Sequence, residues 1–218
     1  MSLLEFTNVS FNNREEDILK GISVSINSGD FMSIMGPSGS GKSTFLRLCC
    51  HLISPTDGTL LFHGQPIDNF EPTDLRKKIA YCFQTPYLFG DRVRDNIEFP
   101  YIIRNLPVDD ARVKALFSSF QMTTDYLEKE IKNLSGGEKQ RIALIRSLLF
   151  TPEILLLDEV TSALDVANTA IVEHVVTSLH NEGTTILWIT HNPEQGKRHA
   201  NKVLTIKNGE IQALETIL

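Results

Sequence analysis

The sequence predicts an α/β fold built on a largely parallel sheet, and three observations predict it. Short unbroken apolar runs lead through loops into helical patterns, one glycine-rich segment sits between such a run and a helix, and a middle stretch replaces strand rhythm with helical periodicity. The runs are Phe31 to Met35, Ile79 to Phe83, Ile154 to Leu157 and Thr185 to Thr190. Apolar residues stand side by side there instead of alternating, as in strands buried on both faces. Ahead of them Leu19 to Ile26 does alternate, with Ile22, Val24 and Ile26 on one face, so a half-exposed antiparallel sheet is expected in the N-terminal part.

Between Pro86 and Phe150 the pattern turns helical. Val113, Leu116, Phe117 and Phe120 recur at i, i+3, i+4 and i+7 behind Asp109, a candidate cap. Ser135-Gly136-Gly137-Glu138 has the form of a capping box, and Ile142, Ile145 and Leu149 give the helix that follows a buried stripe. A later helix, from Val166 to His180, should stop at Gly183.

Composition narrows the class of protein. A chain of 218 residues, 41% hydrophobic and 22% charged, with no fixed-period repeat, suits one compact domain, 1–218, with its own core. Three cysteines, Cys49, Cys50 and Cys82, lack the number and spacing of a disulfide framework or a zinc site, which fits a reducing compartment. Met1 to Thr7 shows no basic segment followed by an apolar stretch, and no apolar run approaches the ~18 residues that span a bilayer. A net charge of −6 disfavours nucleic acid as a partner. His51, His63, His174, His180 and His199 have no ligand-like spacing, so no structural metal is expected, and Trp188 falls inside a buried strand.

Gly36-Pro37-Ser38-Gly39-Ser40-Gly41-Lys42-Ser43 matches the phosphate-binding pattern G-x-x-x-x-G-K-[ST] between a predicted strand and a predicted helix. Backbone N–H groups can wrap phosphates only where side chains do not intrude, and the helix start adds partial positive charge. Lys42 would reach the β- and γ-phosphates and the Ser43 hydroxyl would bind Mg²⁺, with Thr44 next in the cofactor-binding loop. Ile154 to Glu159 is an apolar strand that delivers two carboxylates to its end: Asp158 to hold Mg²⁺ through water, Glu159 to polarise the attacking water as general base. Gln84 and His191 follow two other strands, and ligands of open parallel sheets bind at the carboxyl ends of strands, where all these endings would converge.

Leu134-Ser135-Gly136-Gly137-Glu138-Lys139-Gln140 adds a second anion-receiving helix start. Adjacent glycines in the first turn cost up to roughly 1 kcal/mol each relative to alanine, so a plain structural cap should not prefer them. Close approach of a ligand explains the cost. On that reading Ser135 and Gly137 contact the γ-phosphate of ATP bound to another copy's phosphate loop.

These motifs, taken together, make the chain similar from end to end to ATP-binding-cassette (ABC) ATPases. They come in family order: phosphate loop Gly36 to Ser43, Q-loop Gln84, signature Leu134 to Gln140, acidic pair Asp158 and Glu159, D-loop Ser162-Ala163-Leu164-Asp165, and switch His191. The resemblance implies a P-loop NTPase of the ABC nucleotide-binding type. Its RecA-like core lobe with an antiparallel β part would span 1–85 and 151–218, and a helical lobe carrying the signature 86–150. It also implies catalytic roles for Glu159, His191, Gln84 and Lys42, a metal set of Ser43, Gln84 and Asp158, nucleotide contacts from Ser135, Gly136, Gly137 and Asp165, and a head-to-tail dimer enclosing ATP.

One departure stands out, because the family stacks adenine on an aromatic residue shortly before the phosphate loop and the expected slot reads Asn13. Phe11 is the substitute candidate, its other reading being core. The segments ISPTDGTLLFHG (53–64), YCFQTPYLFGDRVRDNIEFPYIIRN (81–105) and LLLDEVTSALD (155–165) resemble more closely the bacterial iron-export and plant aluminium-tolerance group. That likeness implies a transporter subunit at the cytoplasmic face of the membrane, paired with a permease on a separate chain, as a homodimer or with a related ATPase, and iron or another metal as cargo. Phe89, Ile97, Phe99 and Tyr101 are apolar for a surface loop and are candidates for the permease groove, whereas Lys77-Lys78 and Arg92 to Arg94 read as solvated charge clusters. The rival is a non-transport ABC ATPase of DNA repair or of the ribosome. The first usually carries long coiled-coil insertions and the second two cassettes, and neither pattern is present.

Overall fold

The computed structural model of the chain describes residues 2–217; Met1 and Leu218, which close the expected domain at either end, lie outside the described residues. Two compact units form. The first runs through Tyr81, resumes over Pro152–Glu159 and takes the chain from His180 onward, and the second comprises Cys82–Thr151 and Val160–Leu179.

The first unit contains a four-stranded antiparallel sheet. β1 (Ser2–Asn12) pairs with β2 (Asp17–Asn27) on one side and β4 (Asp57–Phe62) on the other, and β4 continues to the short β5 (Gln65–Pro66). β2 buries Leu19, Ile22, Val24 and Ile26 while Lys20, Ser23 and Ser25 face solvent, the one-sided burial its alternation predicts.

A second sheet has the order β10-β9-β3-β8-β7-β6. β9 (Lys202–Lys207), β3 (Phe31–Met35), β8 (Thr185–Ile189) and β7 (Ile154–Asp158) run parallel. Every residue of β7 and β8 is buried, which is what unbroken apolar runs require. β6 (Ile79–Cys82) flanks β7, and β10 (Glu210–Thr216) folds back on β9 as an antiparallel edge. That hairpin escaped the sequence reading although its signal was present: Asn208 and Gly209 take φ of 53° and 81°, the pair of positive values that a two-residue turn of this kind needs.

Helices α1 (Lys42–Cys49), α2 (Pro72–Lys78) and α7 (Pro193–His199) complete the first unit. Its core joins Leu4, Phe6, Ile34, Phe45, Phe62 and Leu156, with Phe6 and Phe45 stacked at 4.7 Å. Trp188 is buried, as its strand position predicts.

Helices dominate the second unit. α3 (Val93–Ile102), α4 (Asp110–Ser119) and α5 (Gly136–Leu148) bury Ile97, Tyr101, Val113, Leu116, Phe117, Ile142 and Ile145. α6 begins at Val166 and runs to Asn181. Asp109 caps α4 by accepting from Arg112 N, and Asn96, fully buried, accepts from Phe89 N and from Arg146 Nη1 at 2.8 Å. Two of the four groove candidates, Ile97 and Tyr101, are therefore core. The exposed large apolar residues of this region are Phe99, itself a candidate, and Phe83, Tyr87, Ile102, Ile103, Leu106 and Val108. The solvated clusters are ion-paired: Lys77 with Asp74, Lys78 with Glu153, Arg92 with Glu128, and Arg94 with Glu98 and Glu128.

Candidate functional site

β3 ends at Met35 and the chain turns through residues 36–41 into α1. Pro37, Ser38 and Gly39 are exposed at the tip, Ser40, Gly41 and Lys42 are buried, and Ser43 and Thr44 are half-buried. Lys42 arches over its own loop and donates to Gly36 O at 2.9 Å and Pro37 O at 2.8 Å. Burial lowers the Lys42 ammonium from its ordinary range, and the carboxylates of Glu159 and Asp158 pull the other way.

Asp158 closes β7, which makes its carboxylate the buried end of an otherwise apolar strand. It accepts from Ser43 Oγ at 3.0 Å on one oxygen and from Tyr81 OH at 2.5 Å on the other. Burial first, and then the bond to Asp158, hold the Tyr81 hydroxyl well above its ordinary range, so it serves as a donor. Glu159 lies one residue beyond, with φ of 51° and its N–H donating to Ile189 O at 3.1 Å. A non-glycine residue in the left-handed region is uncommon and costs on the order of 1 kcal/mol. Here the turn aims the Glu159 side chain at His191, whose Nε2 lies 2.6 Å from Glu159 Oε1. Asn192 caps α7 through Glu194 N and Gln195 N and so steadies the residue after His191.

A nucleotide and a divalent cation fit these groups on two counts. Ser43 Oγ and the Asp158 carboxylate are hard oxygen donors set side by side, the kind Mg²⁺ prefers. Ser40 Oγ is buried in the loop with no hydrogen-bond partner, an acceptor-donor that a phosphate oxygen can satisfy. Among the described residues no cluster of three or more His, Cys, Asp or Glu forms a separate metal site.

The first unit thus brings together Lys42, Ser43, Asp158, Glu159 and His191. Phe11 belongs to the same unit, in β1, partly buried and packed against the core. Gln84, Ser135, Gly136, Gly137 and Asp165 belong to the second unit. Gln84 lies two residues beyond β6. Ser135 caps α5 in a complete capping box: its Oγ accepts from Glu138 N at 3.2 Å and Glu138 Oε2 accepts from Ser135 N at 2.7 Å. The second carboxylate oxygen accepts from Tyr126 OH at 2.6 Å. That bond, with the one from Ser135 and nearby Lys129, pushes the Glu138 carboxyl down to about 2. Asp165 accepts from Asn168 N at 2.7 Å at the start of α6, and its carboxyl is lowered by that bond. Sequence reasoning passed over Tyr81 and Tyr126, the two phenols that hold Asp158 and Glu138, because neither is joined to its carboxylate by any local pattern.

A phosphate loop feeding α1 from a parallel strand, with an acidic strand end and a histidine beside it, defines a nucleotide-hydrolysing P-loop protein. The ABC transporter family profile matches residues 19–162, and the chain belongs to that family. It is an ABC ATPase, a transport-type ATP-binding subunit that hydrolyses ATP. It is 45% identical over 213 residues to the probable iron export ATP-binding protein FetA of Escherichia coli (strain K12), covering 96% of this chain and 94% of that one. With ABC transporter I family member 17 of Arabidopsis thaliana it shares 38% identity, covering 89% and 74%. Among solved structures, the dimeric post-hydrolysis state of the ATP-binding cassette MJ0796 bound to ADP and Pi superposes with a TM-score of 0.88 at 28% identity, covering 99% of both chains. No helix among the described residues is long and apolar enough to cross a membrane.

Proposed function

We propose that this chain couples ATP-driven closure of a head-to-tail dimer to substrate movement through a membrane permease carried on a separate polypeptide, working from the cytoplasmic face. Residues 1–85 with 151–218 act as the core lobe and 86–150 as the helical lobe of one nucleotide-binding domain. Metal export, with iron foremost, is the cargo reading supported by 45% identity to a probable iron export ATP-binding protein. The exposed apolar set Phe83, Tyr87, Phe99, Ile102, Ile103 and Leu106 supports a permease-docking role for the second unit.

The observation that carries the reading is the constellation around Glu159, a carboxylate one residue past a buried strand and 2.6 Å from His191. Backbone of Gly36 to Ser43 and the Lys42 ammonium bind the phosphates, Thr44 supports the loop, and Phe11 is the adenine candidate. Ser43, Asp158 and Gln84 would hold Mg²⁺, which when bound neutralises charge on the β- and γ-phosphates. Glu159 takes the proton of the attacking water and His191 orients the γ-phosphate and that water. Ser135, Gly136 and Gly137 of a second copy close over the γ-phosphate, and Asp165 links the two sites.

Glu159→Gln tests this directly. The variant should bind ATP as the wild type does, lose turnover by about 10²-fold or more, and accumulate an ATP-bound dimer in size-exclusion chromatography. Near-normal hydrolysis would remove Glu159 as the base. Pull-down from membranes should recover an integral permease; ribosomes or DNA in its place would overturn the transport reading.

A further inference from the structure

Asp158 has two carboxylate oxygens, and they are not equivalent. One faces Ser43 Oγ at 3.0 Å, on the side of the phosphate loop. The other is taken by the Tyr81 hydroxyl at 2.5 Å. The Arg47 guanidinium, in the last turn of α1, lies near enough to the phenol to draw its value down against the pull of burial. A hydroxyl has one proton to give, and at 2.5 Å from a carboxylate, which can only accept, that proton goes to Asp158. Three elements of the first unit, α1, β6 and the end of β7, therefore converge on one carboxylate that is only 5% exposed.

We propose that Tyr81 is a positioning residue that reserves the second oxygen of Asp158, so that a divalent cation beside Ser43 meets a single free carboxylate oxygen, directly or through a bound water, and the site favours Mg²⁺ over Ca²⁺. The inference rests on the reading of this loop as a Mg²⁺–nucleotide site. Its physical basis is the difference between the two ions. Mg²⁺ demands near-ideal octahedral geometry, keeps several waters and is served by one oxygen per carboxylate. Ca²⁺ is larger, takes six to eight oxygens and gains from bidentate carboxylates. With the second oxygen engaged by a phenol, the Asp158 carboxylate cannot rotate to chelate without breaking a charge-assisted hydrogen bond. The edge position of β6 suits this role, because a strand with one neighbour can present a long side chain toward the end of β7.

Tyr81→Phe removes one oxygen and keeps the ring. The test is equilibrium binding of a fluorescent ATP analogue to the full chain, titrated with Mg²⁺ or Ca²⁺ and compared with EDTA. The ratio of half-saturating Ca²⁺ to half-saturating Mg²⁺ should fall about tenfold in Tyr81→Phe, the lower end for loss of a ligand's outer partner. A merely structural role would lower the melting temperature and weaken binding with both ions alike. Arg47→Ala, at an exposed position, leaves the phenol in place but removes the cation near it, and should shift the ratio the same way by a smaller factor. It also decides the matter if Tyr81→Phe does not fold. An unchanged ratio in the folded variants, with divalent-dependent binding intact in the wild type, overturns the role of Tyr81 alone. Nucleotide binding by the wild type that is indifferent to divalent ions overturns the site reading beneath it.

Discussion

Gly36 and Gly41 in the phosphate loop sit against the chain's own backbone, whereas Gly136 and Gly137 at the start of α5 do not. A Cβ on Gly36 would fall 1.9 Å from Ile206 O, and one on Gly41 would fall 2.9 Å from Ile18 O and 2.6 Å from Leu19 Cδ2. Gly136 has nothing within 4 Å of that position, and for Gly137 the nearest neighbours are Asn168 Nδ2 and Leu164 Cδ2, each at 3.5 Å, an ordinary contact. Gly41 and the second pair stand at helix starts, yet only the phosphate-loop glycines are held in place by the fold of this chain. On the proposed function a ligand from outside the chain accounts for the second, since glycine in a first helical turn offers no stability of its own.

The largest expected effect follows from the loop side of that contrast. Gly36→Ala places a methyl against a backbone carbonyl and forces a residue with φ of 143° into strain, so stability should drop by about 3 kcal/mol or more. Urea unfolding measures it. A variant as stable as the wild type would mean that the loop shifts freely, and the contrast between the two pairs would lose its first half.

Gly136→Ala and Gly137→Ala should behave in the opposite sense. Each is expected to leave stability unchanged or raise it by about 0.5 kcal/mol, because alanine narrows the unfolded ensemble and favours the helix. In a Glu159→Gln background the same substitutions should abolish the ATP-induced dimer, read by size-exclusion chromatography. Dimerisation that survives both would show that no ligand or partner approaches these glycines.

How far the sequence reaches follows from whether a contact is local. β3, β7 and β8 are legible because wholly buried strands leave unbroken apolar runs, and the capping box of α5 is legible because its two reciprocal bonds join residues three apart. β1 hides its pattern: register shifts between Phe6 and Val9, and Asn8 at φ of 51°, break the alternation. The site divides the same way. The motif residues could be read off one by one, but Tyr81 and Asp158 stand 77 positions apart, and only the sheet order that puts β6 beside β7 brings them together. Ile97 and Tyr101 misled for a related reason, since their apolar character belongs to the packing of α3 and not to a surface.

A last effect concerns what steadies α5 in place of packed glycines. Glu138 accepts from Ser135 N at 2.7 Å and from Tyr126 OH at 2.6 Å, and these bonds hold its carboxyl at about 2, against an ordinary value of 4.5. A carboxyl whose value is depressed by folding contributes stability that is complete above the unfolded value and is lost as pH falls through the folded one. The contribution should therefore be full above pH 4.5 and fade as pH falls toward 2. Tyr126→Phe removes the largest contributor, and at neutral pH should cost about 1.5 kcal/mol, since a half-buried bond to a charged group lies at the low end of its range. The gap between variant and wild type in urea midpoint should then shrink on acidification through that window. A gap independent of pH would mean that Tyr126 acts through packing, and the start of α5 would owe its order to the Ser135 cap alone.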